Sequence, residues 1–568
     1  MVDRGEIFDK NLQSLSVRDS DLCARLSGAG TAAGNSLQQN FQYQCIESAS
    51  GEVVPIIVGS FGSRPLHSTV DPKREALRFV SAVAGGGESG SLEASGFLVF
   101  FGLGGGFAPA AALQTKGVYR VIVIDYDIDG VARLFRAVDF SPLLTDPRFI
   151  LLADPRPGLI EKTVLELYRP ALHGSLKTLP LRARVEIDKK RFESAAGEVQ
   201  KAAEKTASDY SVQAYFGSRW FVNTIRNLKT AWTQAGNMPP VQEAAICAAG
   251  PSLDDQIPLL AEQKEKSNAQ KLFVISTDTA LPALLSGGVK PDIVVSIDCQ
   301  HISYSHFMDS ACRNIPLFMD ISGPPVLAEL SLLPFFFSGG HPLAVYISQH
   351  RQTIPLLDTS GGNVTYACLS LAEFLNAHRI TVYGADFSYP GGKIYARGTY
   401  LFPLFQKKQS RFAPLESQVS SFLYRSPFLD SGRLYETAVL RFYREAFEKK
   451  AALMRAEIKA APGKGLPLVI RKAAAPVGGK RAFDFSPGNA ETTAADFLKQ
   501  YRQDIAALPL PSTGSPYPDS LDAKARRIAA TLLPLAASVK RRRPELNARE
   551  LINEIKHYSI SEIDRIIF

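Results

Sequence analysis

The side chains best suited to chemistry in this sequence stand where apolar, strand-like runs end. Asp278 follows Leu272-Phe273-Val274-Ile275-Ser276, Asp298 follows Ile293-Val294-Val295-Ser296-Ile297, and Asp386 follows Ile380-Thr381-Val382-Tyr383 by three residues. Ligands of open α/β sheets sit beyond the carboxyl ends of the strands. Carboxylates converging there can accept ribose hydroxyls, hold a cation or take a proton. Asp292, at the start of its strand, reads instead as a turn cap.

A fourth strand-like run, Ala245-Ile246-Cys247-Ala248, leads into Gly250-Pro251-Ser252-Leu253 and an apolar helix bearing Ile257, Leu259 and Leu260. Gly250 removes side-chain bulk, and the Ser252 hydroxyl is of a type that caps helices. Amides at such a helix start, assisted by the helix dipole, suit a phosphate. Thr277 borders the next strand end. Gly361-Gly362-Asn363 forms a small-residue entry to another helix, and Gly384 precedes Asp386. Lys393 and Tyr395 lie in the loop beyond, where a phenol can donate to a departing phosphate. A separate glycine loop, Gly102-Leu103-Gly104-Gly105-Gly106, follows Phe97–Phe101, and Asp125 ends the next strand, as in dinucleotide-binding and methyltransferase sheets.

Positioning these residues requires parallel sheets covered by helices, because the strand runs are continuously apolar and alternate with helical segments. The expected fold class is α/β, with tandem Rossmann-like parallel sheets, N-terminal and central, followed by a mostly α-helical C-terminal region. Composition shifts place the expected domains at 1–205, with its sheet from about 94, then 206–400 and 401–568. Lys540-Arg541-Arg542-Arg543 reads as the solvated end of a helix.

The chain has 568 residues, 45% hydrophobic and 21% charged, which excludes wholesale disorder. Lys and Arg total 64 against 56 Asp and Glu, a mild excess that permits an anionic ligand without pointing to nucleic acid. Six cysteines lie scattered, with no CxxC pair, so reduced thiols are expected and no metal site is assigned. The N-terminus lacks the apolar stretch of a secretory signal. The uncharged run from Ala94 to Thr115 is interrupted by glycines and Pro109, and reads as strand, loop and helix rather than a membrane span. A cytoplasmic location is the expectation.

The order of segments resembles the motility-associated factor (Maf) flagellin glycosyltransferases, whose core is a Maf/MptE-like domain. The resemblance rests on Leu66-His67-Ser68 with Asp71-Pro72 and Glu75-Ala76, and on Trp220 with Asn223 and Asn227. It continues through Gly250-Pro251-Ser252-Leu253, Pro291-Asp292 with Asp298, Gly361-Gly362 and Gly384-Ala385-Asp386, covering roughly residues 5 to 400. A more distant resemblance is to bacterial sialyltransferases, through Gly384-Ala385-Asp386-Phe387 and Tyr395-Ala396.

These resemblances imply transfer of a nonulosonic acid, of pseudaminic or legionaminic type, from a CMP-activated donor to Ser or Thr of flagellin. They imply Asp298, Asp386 and Tyr395 as catalytic residues. Gly250, Pro251, Ser252, Leu253, Thr277, Asp278, Gly361, Gly362, Asn363, Gly384 and Lys393 would hold the donor nucleotide. The sialyltransferase histidine base has no counterpart, since no His lies between His378 and His557; His301, His306 and Asp298 are the substitutes. No cofactor is implied. The alternatives are a 6-hydroxymethylpterin diphosphokinase-like activity, which would need Mg²⁺ on Asp278, Asp298 or Asp386, and a non-enzymatic flagellar accessory protein.

Overall fold

The computed structural model describes residues 4–29, 41–60, 62–84, 95–234, 237–238, 240–266, 272–308, 310–331, 333–423, 428–430, 434–472, 483–484, 492–512 and 515–567. Ala94, which opens the uncharged run, lies outside them. Two compact units emerge: residues 1–217 with 505–558, and residues 218–504 with 559–568.

In the first unit, β1 (Phe41–Glu47), β2 (Val53–Gly59) and β3 (Gly62–Pro65) form an antiparallel sheet. A parallel sheet follows, built from β4 (Phe97–Phe101), β5 (Arg120–Asp125), β6 (Phe149–Ala153) and β7 (Leu176–Pro180) in the order β6-β5-β4-β7. Every residue of β4 and β5 is buried, as the unbroken apolar runs Phe97–Phe101 and Val121–Ile124 require, and Arg120 and Asp125 at the ends of β5 are buried with them. The glycine loop leads from β4 into the helix Phe107–Gln114, so the uncharged run is strand, loop and helix. No helix among the described residues is long and apolar enough to cross a membrane.

The second unit is ordered by a seven-stranded, wholly parallel sheet. Chain order runs from the short β8 (Asn237–Met238), outside this sheet, to β9 (Glu243–Cys247), β10 (Phe273–Thr277), β11 (Ile293–Ser296), β12 (Leu317–Asp320), β13 (Pro334–Phe337) and β14 (Arg379–Tyr383). After β15 (Tyr389–Pro390), β16 (Phe428–Asp430) and β17 (Leu434–Thr437), which pair with one another, β18 (Glu457–Ala460) returns to the sheet; β19 (Phe483–Asp484) pairs with β8. The order is β13-β12-β11-β10-β9-β14-β18.

The expected boundary at residue 400 does not separate two bodies. β18 pairs with β14 from Arg379↔Glu457 to Val382↔Ala460, within the second unit, whereas 505–558 groups with the N-terminal residues. Helices still dominate the chain past 400, at Leu401–Lys408, Leu415–Leu423, Ala438–Leu453, Ala494–Ala507, Ala523–Arg542 and Ala548–Ile567. Lys540, Arg541 and Arg542 occupy the last turn of Ala523–Arg542, where cations meet the negative end of the helix dipole.

Candidate functional site

The carboxyl ends of β10, β11 and β12 carry three acids. Asp278 is buried after β10; its Oδ2 accepts from Ser296 Oγ at 2.8 Å and its Oδ1 from the Thr279 amide at 2.7 Å. Asp298 stands two residues beyond β11, half-buried, with Oδ1 accepting the Gln300 amide at 2.8 Å. Asp320 closes β12 and accepts the Ser322 amide at 2.7 Å.

Tyrosines gather around the first two acids. Burial raises the Tyr395 phenol above its ordinary range, helped by Tyr400, Tyr389 and the Asp278 carboxylate. Tyr400 is raised by burial and by Asp278 and Asp298, and Tyr443, from the helix Ala438–Leu453, by burial and Asp298. All three therefore remain protonated donors across neutral pH. Burial also pushes Asp298 upward, with Asp278 adding repulsion. A carboxylate raised in this way is a better proton acceptor near neutrality.

His306 belongs to the same cluster. Its ring lies edge-on to Tyr400 at 4.3 Å between centroids, and Asp298 is within its electrostatic reach. It is buried, and its Nδ1 has no hydrogen-bond partner among the described residues. His301 instead is exposed, stacked obliquely beside Tyr304.

Two asparagines fix the loops that carry these groups. Asn223 Nδ2 donates to the carbonyls of Cys299 and Ser322, at 3.3 and 2.9 Å. Asn227 Nδ2, one helical turn on, donates to Ile321 and Gly323 at 2.8 and 2.9 Å. The i,i+4 spacing thus aligns both amides against the turns after β11 and β12. Trp220 stacks on His341 at 3.9 Å, and a cavity of about 630 Å³ opens beside Asn223, Arg219, Arg226, Gln300 and His301.

The helix start at Ser252 is a different environment from the one the sequence suggests. The Ser252 amide donates to Asp386 Oδ2 at 2.8 Å, the Ser252 hydroxyl donates to Asp386 Oδ1, and the Lys464 amide donates to Ser252 Oγ at 2.6 Å. The amides of Leu253, Asp254 and Asp255 are taken by the carbonyls of Gly250, Pro251 and Ser252. Gly250 meets Gly384 directly, its amide donating to the Gly384 carbonyl at 2.8 Å, and a Cβ on Gly250 would collide with Asp386. Gly384 has φ of +62°, and a side chain there would strike the Ala248 carbonyl.

The expected phosphate grip at Gly250, Pro251, Ser252, Leu253 and Gly384 is therefore corrected: the carboxylate of Asp386 already fills it. Asp386 is correspondingly a helix-capping residue and not a free catalytic acid, since both of its oxygens accept from Ser252. The other expected residues divide. Thr277 caps the following turn through the Ala280 amide at 3.2 Å, and Asn363 caps the helix Val364–Phe374 through the Tyr366 amide at 3.0 Å. Gly361 packs against the Tyr366 ring, while Gly362 abuts Tyr443 and so borders the tyrosine cluster. Lys393 is exposed, and its charge is felt by Asp255.

Asp278, Asp298 and Tyr395 thus come together. Tyr400 and Tyr443 were missed; Tyr400 lies only five residues past Tyr395, but nothing in the sequence links Tyr443 to residues some 150 positions earlier.

In the first unit, Asp125 accepts the Leu103 amide at 2.8 Å and the Tyr126 amide at 2.8 Å, and pairs with the buried Arg184 at 3.1 Å. His67 Nε2 accepts the Gly105 amide at 2.8 Å. The acid at the strand tip and two loop amides are occupied by the protein itself.

Residues 220–392 match the family model described as MptE-like, 6-hydroxymethylpterin diphosphokinase MptE-like. An uncharacterized protein of Treponema pallidum (strain Nichols) is 42% identical over 152 residues, 25% of this chain and 54% of the relative. A second from the same organism is 29% identical over 171 residues, 30% of this chain and 79% of the relative. The chain thus spans about half the length of the first of these relatives. The solved structure of the MAf glycosyltransferase from Magnetospirillum magneticum AMB-1 matches with a TM-score of 0.54 at 14% identity, over 99% of this chain and 95% of that one. Residues 220–392 are therefore similar to the MptE-like family, and the chain takes the fold of the solved Maf glycosyltransferase.

Proposed function

We propose that the protein is a glycosyltransferase that moves a nonulosonic acid from a CMP-activated donor to Ser or Thr hydroxyls of flagellin, in the cytoplasm. The observation that carries the reading is the acid–tyrosine–histidine cluster beyond β10 and β11, in a chain with the fold of a Maf glycosyltransferase. Asp298, raised by burial, takes the proton of the acceptor hydroxyl, with His306 beside it as the second proton acceptor of the pair. The hydroxyl oxygen bonds to the anomeric carbon as the bond from that carbon to the phosphate oxygen breaks, and CMP leaves with the electron pair. Phenol donors from Tyr395, Tyr400 and Tyr443 stabilise the charge that grows on the departing phosphate. Arg219 and Arg226, at the neighbouring cavity, suit the donor's carboxylate.

Purified enzyme, flagellin and CMP-pseudaminic acid, followed by intact-mass spectrometry, test the reading. One sugar increment per modified site is expected, with turnover reduced about 10²- to 10⁴-fold in Asp298→Asn. Unmodified flagellin with an intact donor, across pseudaminic and legionaminic forms, would sink it.

The family description at residues 220–392 favours a second reading, diphosphoryl transfer from ATP to a hydroxymethylpterin. There Asp278 and Asp298 would supply oxygen ligands to Mg²⁺. Release of AMP from ATP in the presence of the pterin would select it.

A further inference from the structure

We infer that the first unit holds a second small-molecule site, for an uncharged heteroaromatic compound of nucleoside size, in the cavity between the carboxyl ends of β4 and β7. The sheet order β6-β5-β4-β7 reverses direction between those two strands, since β5 and β6 lie on one side of β4 and the later β7 on the other. Crevices at such reversals are where open α/β sheets bind ligands. A cavity of about 820 Å³ lies there, bounded by Phe100 and Leu103 at the end of β4, by Leu181 after β7, and by Ala76 and Phe79 of the helix Pro72–Ala84. Volume and apolar lining both match small-molecule pockets.

The chemistry of the lining narrows the ligand. A dinucleotide needs free loop amides for its pyrophosphate and a free acid for its ribose. Here Asp125 is held by Arg184 and the Leu103 amide, and the Gly105 amide by His67. Arg64 and Arg182 at the rim both pair with Glu186, at 2.8 and 3.0 Å, and Glu75 is the second carboxylate of the lining, so the cavity's two cations are matched by two anions. A phosphorylated ligand is disfavoured on each count. Apart from those paired charges, the cavity presents mainly apolar and aromatic surface, with His67, Ser68 and Thr69 as its neutral polar side chains.

His67 supplies the recognition. Its Nε2 accepts from the Gly105 amide, so in the neutral ring the proton sits on Nδ1. Burial lowers its pKa to about 4, which keeps the ring neutral at physiological pH. The nearest carboxylate oxygen, on Glu75, is 3.9 Å from Nδ1, too long for a hydrogen bond. Glu75 is itself engaged by the Ser68 amide at 2.7 Å. An acceptor nitrogen or carbonyl on a flat ring would complete that donor, while Phe79 and Phe100 cover the ring. The segment Leu66-His67-Ser68 with Glu75-Ala76 thereby gains a role separate from sugar transfer.

Thermal unfolding of the full chain with adenosine, guanosine, cytidine or uridine tests the inference. At least one nucleoside should raise Tm by the amount its affinity dictates, and the corresponding triphosphate should do so less. Ala183→Trp, which places an indole in the cavity from a half-buried position, should abolish the shift. Phe79→Ala, at a partly exposed position, should weaken binding about tenfold. Circular dichroism verifies that both variants fold. No shift with any of the four nucleosides, or a shift that survives Ala183→Trp, overturns the proposal. CMP binding at the second unit is measured in the same variants and should be unchanged, so the outcome is independent of the glycosyltransferase reading.

Discussion

Both units contain a glycine-bearing turn from a first strand into a helix, and both turns are closed by a buried carboxylate, yet the closures differ in kind. Asp125 in the first unit reaches across from the neighbouring strand and is neutralised by Arg184, a guanidinium with no exposed surface. Asp386 in the second unit accepts an amide and a hydroxyl from one residue, Ser252, and makes no ion pair among the described residues. Asp125 is therefore half of a buried salt bridge, and Asp386 is a helix cap placed in tertiary space. A Gly-rich turn with a nearby acid is thus as readily a sealed joint as a ligand cradle. In each unit the open chemistry lies beside the turn, at the β4–β7 reversal in one and at Asp278 and Asp298, one and two strands away, in the other.

The difference is best broken at Asp125. Asp125→Ala leaves the Leu103 and Tyr126 amides without their acceptor and Arg184 buried with Asp188, at 2.7 Å, as its remaining carboxylate, and should cost about 3–5 kcal/mol in urea unfolding. Joint replacement by Asp125→Ala and Arg184→Met should recover part of that loss, because a buried pair exchanged for apolar groups is close to neutral while the Leu103 and Tyr126 amides stay without an acceptor. Asp386→Ala orphans the Ser252 amide and hydroxyl without stranding a cation, so a smaller loss of about 2–3 kcal/mol is expected. CMP affinity should be unchanged in Asp386→Ala at temperatures where it is folded; a large loss of CMP binding would restore the turn as a phosphate site.

The mildest effect concerns pH. The folded state raises the Asp298 pKa, so its ionisation opposes folding, and the penalty appears as pH rises through the raised value. Asp298→Asn should accordingly increase Tm at pH 7.5, and the gain should vanish as pH falls and the wild-type carboxyl takes up its proton. Asp358 behaves oppositely. Although burial favours its neutral form, hydrogen bonds from Ser360 and Tyr366 and the Lys450 charge bring its pKa down to about 2. Its stabilising contribution is present at neutral pH and is lost as pH drops from about 4 towards 2. Asp358→Asn should flatten that acid limb of the stability curve.

Central strands were legible in the sequence because both of their faces are buried. Val121-Ile122-Val123-Ile124 and Ile293-Val294-Val295 are continuous apolar runs, and they are β5 and β11. The edge strands β7, β13 and β18 were not. β18 reads Glu-Ile-Lys-Ala, with only Ile458 buried, and β7 reads Leu-Lys-Thr-Leu-Pro, because an edge strand covers one face and leaves the other in water. β13 opens on Pro334, which lacks an amide hydrogen and is tolerated at the first position of an edge strand. At the site, Asp278 and Asp298 were legible from their place after apolar runs. The engagement of Asp386 with Ser252 was not, since 134 residues separate them and an acid after a strand looks the same whether it is open or capping.

β18 sets a limit on how the second unit can be produced alone. A polypeptide ended near residue 400 would lose the strand whose register on β14 completes the sheet, together with Gly463, Lys464 and Gly465, which pack over Ser252 and Asp386. The bare margin of β14 would then offer its ladder of amides and carbonyls to any neighbouring chain, and such a fragment should precipitate rather than report on catalysis.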